Sequence, residues 1–268
     1  MKSYLNLFKL RIITEIQYRA AALAGISTQL FFGFMYIMFY IALYTSNKNI
    51  TVPMNLKEII TYMWLGQAFF ALRIPVLQDK ELLNMIKDGN LAYEIIRPQN
   101  FYLKFYVKLY AHRLVATMLR FLPIIVIGLL LPEPYNLSLP SSTSNFIVFL
   151  ILLILSSLLV TSMTLLVHLI TMFTIDSRGV FSFYSVIGEL FMGGIVPIPF
   201  LPKFLRIMAN ALPFRFLSDS PYRIYMGNIP VSEGLGLIFL CILWIIITMA
   251  IGYIVSKIAL RKAVIQGG

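Results

Sequence analysis

The sequence predicts an all-α polytopic membrane protein with six transmembrane helices, and three observations carry that expectation. Of 268 residues, 59% are hydrophobic and only 12% charged, at a mean hydropathy of +0.85, whereas a soluble domain gives about a quarter of its residues to charge. Six apolar runs, at 22–44, 58–77, 110–131, 146–173, 179–196 and 236–256, approach or exceed the roughly 20 residues that cross a bilayer core of about 30 Å. The basic residues fall between these runs, so the formal charge of +11 points to membrane topology and away from a nucleic-acid partner.

An even number of spans sets both termini on one side of the membrane. If that side is cytoplasmic, it carries fifteen of the 22 Lys and Arg, among them Arg73, Lys80, Lys87, Lys104, Lys108 and Arg113. The far side then holds Lys48, Lys57, Lys203, Arg206, Arg215 and Arg223, with Arg120 inside a span. The positive-inside rule selects this orientation. Cys241 is the single cysteine and lies in an apolar run, which excludes an intrachain disulfide and a cysteine-based metal site.

The elements follow in order, within one expected transmembrane domain, 1–268. Lys9, Arg11, Glu15 and Arg19 interrupt any signal-peptide core in residues 1–19. Leu5, Phe8, Ile12 and Ile16 there recur at helical spacing, which predicts an interfacial helix. The loops 45–57 and 132–145 are short and polar; their sequons, Asn49-Ile50-Thr51 and Asn136-Leu137-Ser138, are triplets that arise readily by chance. Between spans two and three, segment 78–104 opens with Asp79, Lys80 and Glu81, continues with Leu82, Leu83, Met85 and Ile86, and reaches Gly89-Asn90. That order predicts a short amphipathic helix, and Arg97-Pro98 then breaks the chain ahead of span three. Gly193, Gly194, Pro197, Pro199 and Pro202 end span five abruptly. Two apolar runs follow, up to Pro213 and up to Gly227, each too short to span. Residues 197–235 are therefore expected to form an outer re-entrant helical hairpin before span six.

Three spans carry a polar face about 80° wide at helical periodicity: Gly25, Gln29, Gly33, Tyr36 and Tyr40 in span one; Ser157, Thr161, Thr164, His168 and Thr171 in span four; Arg178, Ser182, Ser185, Glu189 and Gly193 in span five. Helix packing accounts for such faces, and a pathway lining is the alternative, stronger for spans one and five. Arg120 and Glu189 sit near mid-span, where an ionised group costs on the order of 2.5–3.5 kcal/mol unless paired or wetted. They are expected either to pair with each other or to serve a carbonyl network and a wet cavity separately.

No G-x-x-x-x-G-K-[ST] run occurs, so ATP-driven work requires a partner. His112 and His168 lack metal-ligand spacing, and no acid is placed to complete a serine triad. The order of features nevertheless resembles a family, the membrane subunits of bacterial ABC-2 type transporters. The resemblance rests on the N-terminal helix, six spans, the charged helix after span two and the broken hairpin. More locally it rests on Gly89-Asn90-Leu91 leading to Arg97-Pro98-Gln99, on Gly194 to Pro202, on Leu212-Pro213-Phe214-Arg215 and on Pro221 to Gly227.

That resemblance implies a bacterial inner-membrane exporter permease, not itself an enzyme, acting with a second identical or similar permease and a cytosolic ATPase dimer that binds ATP and Mg. It implies a coupling helix at about 78–87, with Asp79, Lys80, Glu81, Leu82, Leu83 and Lys87 as the ATPase-coupling set; a solvated charged face is the alternative there. It implies a path lined by Gln29, Tyr36, Ser185 and Glu189, and an outer gate including Pro197, Pro199, Pro202, Pro213 and Arg215. Arg206, Arg215 and Arg223 suit membrane-lipid phosphates or an anionic substrate group. The expected cargo is an amphipathic or hydrophobic drug, toxin, peptide antibiotic or lipid. A lipid-modifying membrane enzyme and an ion-coupled secondary transporter are the alternatives, separated by lipid turnover by the chain alone and by ion-driven uptake without ATP.

Overall fold

The computed structural model describes residues 2–17, 19–46, 52–75, 77–88, 94, 99–174 and 177–266, and these form helices and connections with no strand among them. The α-helices are α1 (Lys2–Ile16), α2 (Arg19–Ser46), α3 (Leu56–Ala68), α4 (Phe70–Arg73), α5 (Lys80–Lys87), α6 (Phe101–Leu130), α7 (Thr143–Ile170), α8 (Ser177–Met192), α9 (Lys203–Ala211), α10 (Asp219–Met226) and α11 (Val231–Gln266). The motif residues Gly89-Asn90-Leu91 and Arg97-Pro98, and the sequon at Asn49, lie outside the described residues.

Among the described residues, four stretches are long and apolar enough to cross a membrane: Ala22–Ser46, Phe101–Leu130, Thr143–Phe173 and Val231–Arg261. They correspond to α2, α6, α7 and α11. The most apolar window of α7 is 61% buried, against 28% or less in the other three, so α7 is the hub of the bundle and the others present lipid-compatible side chains. Ser162 and Thr248 share a 2.6 Å hydroxyl contact that pins α7 to α11.

The other two expected spans are shorter. Run 58–77 becomes α3 and α4, broken at Phe69, with extended chain from Ile74. Every residue from Ile59 to Phe69 is buried, so neighbouring helices satisfy what lipid could not and a break is tolerated. Asn55 caps α3 with a capping box to Glu58. Run 179–196 becomes α8, whose 16 residues rise about 24 Å. It stops where Gly193 turns at φ +72°, a conformation in which a Cβ is strained.

Helix α1 packs on α6 through part of its apolar stripe and through polar contacts. Phe8 stacks on Tyr110 at 6.5 Å, the Asn100 N–H donates to the Tyr4 hydroxyl at 2.9 Å, and Glu15, paired within α1 to Arg11 at 2.8 Å, meets His112 of α6 at 2.7 Å. Leu5 and Ile16 of the expected stripe stay exposed, while Phe8 and Ile12 are half-buried. Segment 197–235 contains the short helices α9 and α10 before α11 begins at Val231. Its α10 is buried through Tyr222, Ile224 and Tyr225 and closes at Gly227 (φ +82°), while α9 turns Phe204, Ile207 and Met208 outward.

Candidate functional site at the start of α5 and the end of α8

The chain leaves α4 in extended form at Ile74-Pro75 and reaches α5 at Lys80. Extended backbone inside a helical bundle cannot satisfy itself, and α6 and α7 supply the partners. Arg113, fully buried, donates from Nη1 to the carbonyls of Leu72 (3.2 Å) and Ile74 (2.7 Å) and from Nη2 to Thr164 Oγ1 (2.6 Å). The Thr164 hydroxyl donates its own proton to the Pro75 carbonyl at 2.9 Å. The Asp79 N–H donates to His168 Nε2 at 3.0 Å, while His168 Nδ1 lies 2.8 Å from the Thr164 carbonyl. These contacts select the neutral Nδ1–H tautomer. The polar face of α7 is thus a packing face in this chain, and what it holds in place is the strap from Arg73 to Asp79.

Asp79 caps α5, its Oδ1 accepting from the Leu82 N–H at 3.0 Å. Buried Lys108 of α6 bridges Asp79 at 2.9 Å and also bonds Glu81. Burial alone raises the Asp79 carboxyl, but the Lys108 ammonium and the Leu82 N–H outweigh it, and the group lies below its ordinary value. Leu82 enters a cluster with Phe101, Tyr102 and Phe105, and Leu83 one with Val167 and Phe181. α5 is therefore clamped to α6, α7 and α8. Of the expected coupling set, Asp79, Leu82 and Leu83 face inward, and Lys80, Glu81 and Lys87 remain accessible beside Asn84. A strict amphipathic reading misses this split because one turn of charge, Asp79 included, precedes the apolar pair.

At its other end the strap begins with Arg73, 3% exposed, which the charge distribution assigns to the cytoplasmic face. Its Nε donates to the Gly66 carbonyl at 3.1 Å, its Nη1 lies 3.4 Å from Glu189 Oε2, and its guanidinium sits over Phe70. Glu189 thus pairs with Arg73 inside the chain, not with Arg120, whose guanidinium lies against Gly25. Arg73 reaches Glu189 from α4, just beyond the break at Phe69. Gly194 lies against this pair, and a Cβ there would overlap the Glu189 carboxylate and sit 2.7 Å from Arg73 Nη1. Gly188 likewise makes room for Pro75 of the strap.

The other expected path residues divide. Tyr36, half-buried, feels both Glu189 and Arg73, and Ser185 lies half-buried one turn before Glu189. Gln29 is 3% exposed and packed inside the protomer. The turn after α8 is tied down by three elements: the Tyr62 hydroxyl donates to the Gly193 carbonyl at 2.8 Å, Tyr40 to the Ile195 carbonyl at 3.0 Å, and the Ile198 N–H to Asp219 Oδ1 at 3.1 Å. Pro197 and Pro213 are buried, Pro199 is half-buried and Pro202 exposed. Arg215 donates to Ser220 Oγ (3.1 Å) and the Asn210 carbonyl (3.2 Å), Arg206 to the Leu201 carbonyl (3.1 Å), and Arg223 pairs with Asp219 at 3.4 Å. Three basic residues that the positive-inside pattern leaves over therefore bond within segment 201–223 itself.

A family model described as ABC-2 family transporter protein matches residues 30–267. The chain belongs to that family. Its members are transmembrane transporter components, not themselves catalysts, and membership implies association with an ATP-binding-cassette ATPase. No curated protein matches the chain. The match begins within α2 and takes in the strap, α5 and the hairpin, whereas α1 precedes it.

Signals for Arg73, Arg113 and Lys108 exist in the sequence, since each lies within or beside an apolar run. The positive-inside tally absorbs them, and only the fold distinguishes a paired interior cation from an interfacial anchor.

Proposed function

We propose that the chain is the membrane-spanning permease subunit of an exporter, crossing a bacterial inner membrane six times with both termini cytoplasmic, and dimerising with itself or a similar permease. A cytosolic ATPase dimer, which binds ATP and Mg, docks on the accessible face of α5 through Lys80, Glu81, Asn84 and Lys87. The cargo is an amphipathic or hydrophobic compound. In this reading α3–α4 and α8 complete the six crossings, their shorter length compensated by burial and by the hairpin on the outer side.

What supports the reading is the continuous connection from α5 through the strap to the Arg73–Glu189 pair. ATP-driven closure of the ATPases displaces α5, and the strap carries the displacement to Arg73. Loss of the Glu189 contact frees the Gly193–Gly194 turn and opens the hairpin outward. The energy comes from the ATPase; the permease supplies different cargo affinity in its inward and outward states. Tyr36, Ser185 and Glu189 line the path, and Pro197, Pro199, Pro202, Pro213 and Arg215 shape the gate.

The test is reconstitution of permease and ATPase in vesicles loaded with an amphipathic dye. The proposal expects ATP-dependent dye movement that requires both proteins. Lipid turnover by the permease alone, or ion-driven dye movement without ATP, would replace it with an enzyme or a secondary transporter.

A further inference from the structure

Helix α9 divides, at helical periodicity, into three faces. Leu205 and Ala209 turn inward and join the main core, where the helix packs against α8 and the flanking turns Ile198–Phe200 and Pro213–Leu217. Phe204, Ile207, Met208 and Ala211 form a second, apolar face. All four are exposed, Phe204 at 71% and Ile207 at 61%. Lys203, Arg206 and Asn210 form the third face, polar, basic and likewise exposed.

An exposed apolar stripe beside a basic one suits a helix lying in a membrane interface, with the apolar side toward the acyl chains and the cations among the headgroups. The third face, bonded to protein, places such a helix at the perimeter of the bundle. Neither cation is spent inside the chain. Arg206 gives one N–H to the Leu201 carbonyl, and neither Arg206 nor Lys203 has an ion pair among the described residues. Basic side chains next to a lipid surface call for phosphate.

We propose that α9 docks on the membrane surface, with Phe204, Ile207 and Met208 at the acyl boundary and Lys203 and Arg206 on the phosphates of anionic phospholipids. A second copy of the chain is the competing occupant, and charge opposes it. Residues 190–218 contain Lys203, Arg206 and Arg215 but no Asp or Glu, so two copies meeting across this face would bring like charges together without counter-charges. Anionic headgroups supply what a second copy lacks. The proposal requires membrane residence, but neither the ATPase nor the outward gate.

Ile207→Cys and, separately, Asn210→Cys are made in a Cys241→Ser background of the full-length permease. Each is labelled with an environment-sensitive fluorophore and reconstituted in vesicles of phosphatidylcholine and phosphatidylglycerol. The label at position 207 should be quenched by nitroxides on lipid chains and spared by aqueous iodide, with the reverse order at position 210. Nitroxide-bearing phosphatidylglycerol should reach half-quenching at a mole fraction roughly 5- to 25-fold lower than nitroxide-bearing phosphatidylcholine, as expected for one to two cations at a lipid surface. That preference should vanish when Lys203→Gln and Arg206→Gln are combined. Should Ile207→Cys fail to fold, Phe204→Cys reports the same face. Quenching of the apolar face by iodide and not by lipid overturns the docking, and so does a disulfide linking position 207 of two copies. Equal quenching by the two lipids overturns the anionic assignment.

Discussion

Replacing Glu189 by Gln leaves the Arg73 guanidinium 3% exposed and without a counter-charge. Stranding one partner of a fully buried pair costs about 3–5 kcal/mol. Here the Glu189 side chain is 28% exposed, so water already screens part of the contact, and Arg73 keeps its bond to the Gly66 carbonyl. The expected loss is therefore about 1–3 kcal/mol, the range for an unsatisfied buried polar group. Arg73→Met should cost less, because the half-exposed carboxylate can turn to water. The double variant Arg73→Met with Glu189→Gln should recover most of the single losses, since an apolar replacement of an ion pair is often neutral. Thermal or denaturant unfolding of purified permease closes the cycle, with an expected coupling of about 0.5–3 kcal/mol. Additive single losses would refute the pair as an energetic unit. Gly194→Ala supplies an independent check, since it changes no charge yet should destabilise by displacing the same carboxylate.

Three further outcomes follow from the loop. Reversing Lys80 and Lys87 to Glu should strip the ATPase from the purified permease while leaving its stability within about 0.5 kcal/mol of wild type, as for surface changes generally. His168→Ala strands the Asp79 N–H and should cost about 1–3 kcal/mol, read as a lower midpoint and faster proteolysis at residues 74–79; an unchanged protease pattern would show that the strap holds without it. The Asp79 carboxyl lies below its ordinary value. Its stabilising share is then fully present above about pH 4, and is lost only as pH falls through the lowered folded value. Asp79→Asn should accordingly destabilise at neutral pH and flatten the acid limb of stability against pH; a parallel limb would sink the assignment.

Much of the fold is legible in hydropathy because lipid imposes it: α2, α6, α7 and α11 must be continuous and apolar. α3–α4 is less legible, since a helix enclosed by protein can break at Phe69 without exposing backbone to lipid, and a mean over twenty residues does not register the break. The short helices of 197–227 are readable from the clustered Gly193, Gly194, Pro197, Pro199, Pro202 and Pro213, whereas the lone Pro123 stays inside α6. Side-chain partners are not readable. Glu189 is visible as a mid-span acid, but its partner Arg73 lies 116 residues away in the sequence, beyond the break at Phe69. His168 looks solitary in the sequence because its function is to accept one backbone N–H, which no spacing rule encodes. Asp79 and Lys80 adjoin in sequence, yet one caps and clamps the helix while the other faces out.

The central claim is that the ATPase meets the outward face of α5 and no other. A photo-crosslinking residue placed singly at positions 83, 84 and 87 of the permease, with the ATPase present, tests it most directly. Adducts from positions 84 and 87, and none from buried Leu83, are the predicted result. An adduct from position 83, or silence from both exposed positions in a complex that still transports, would contradict it.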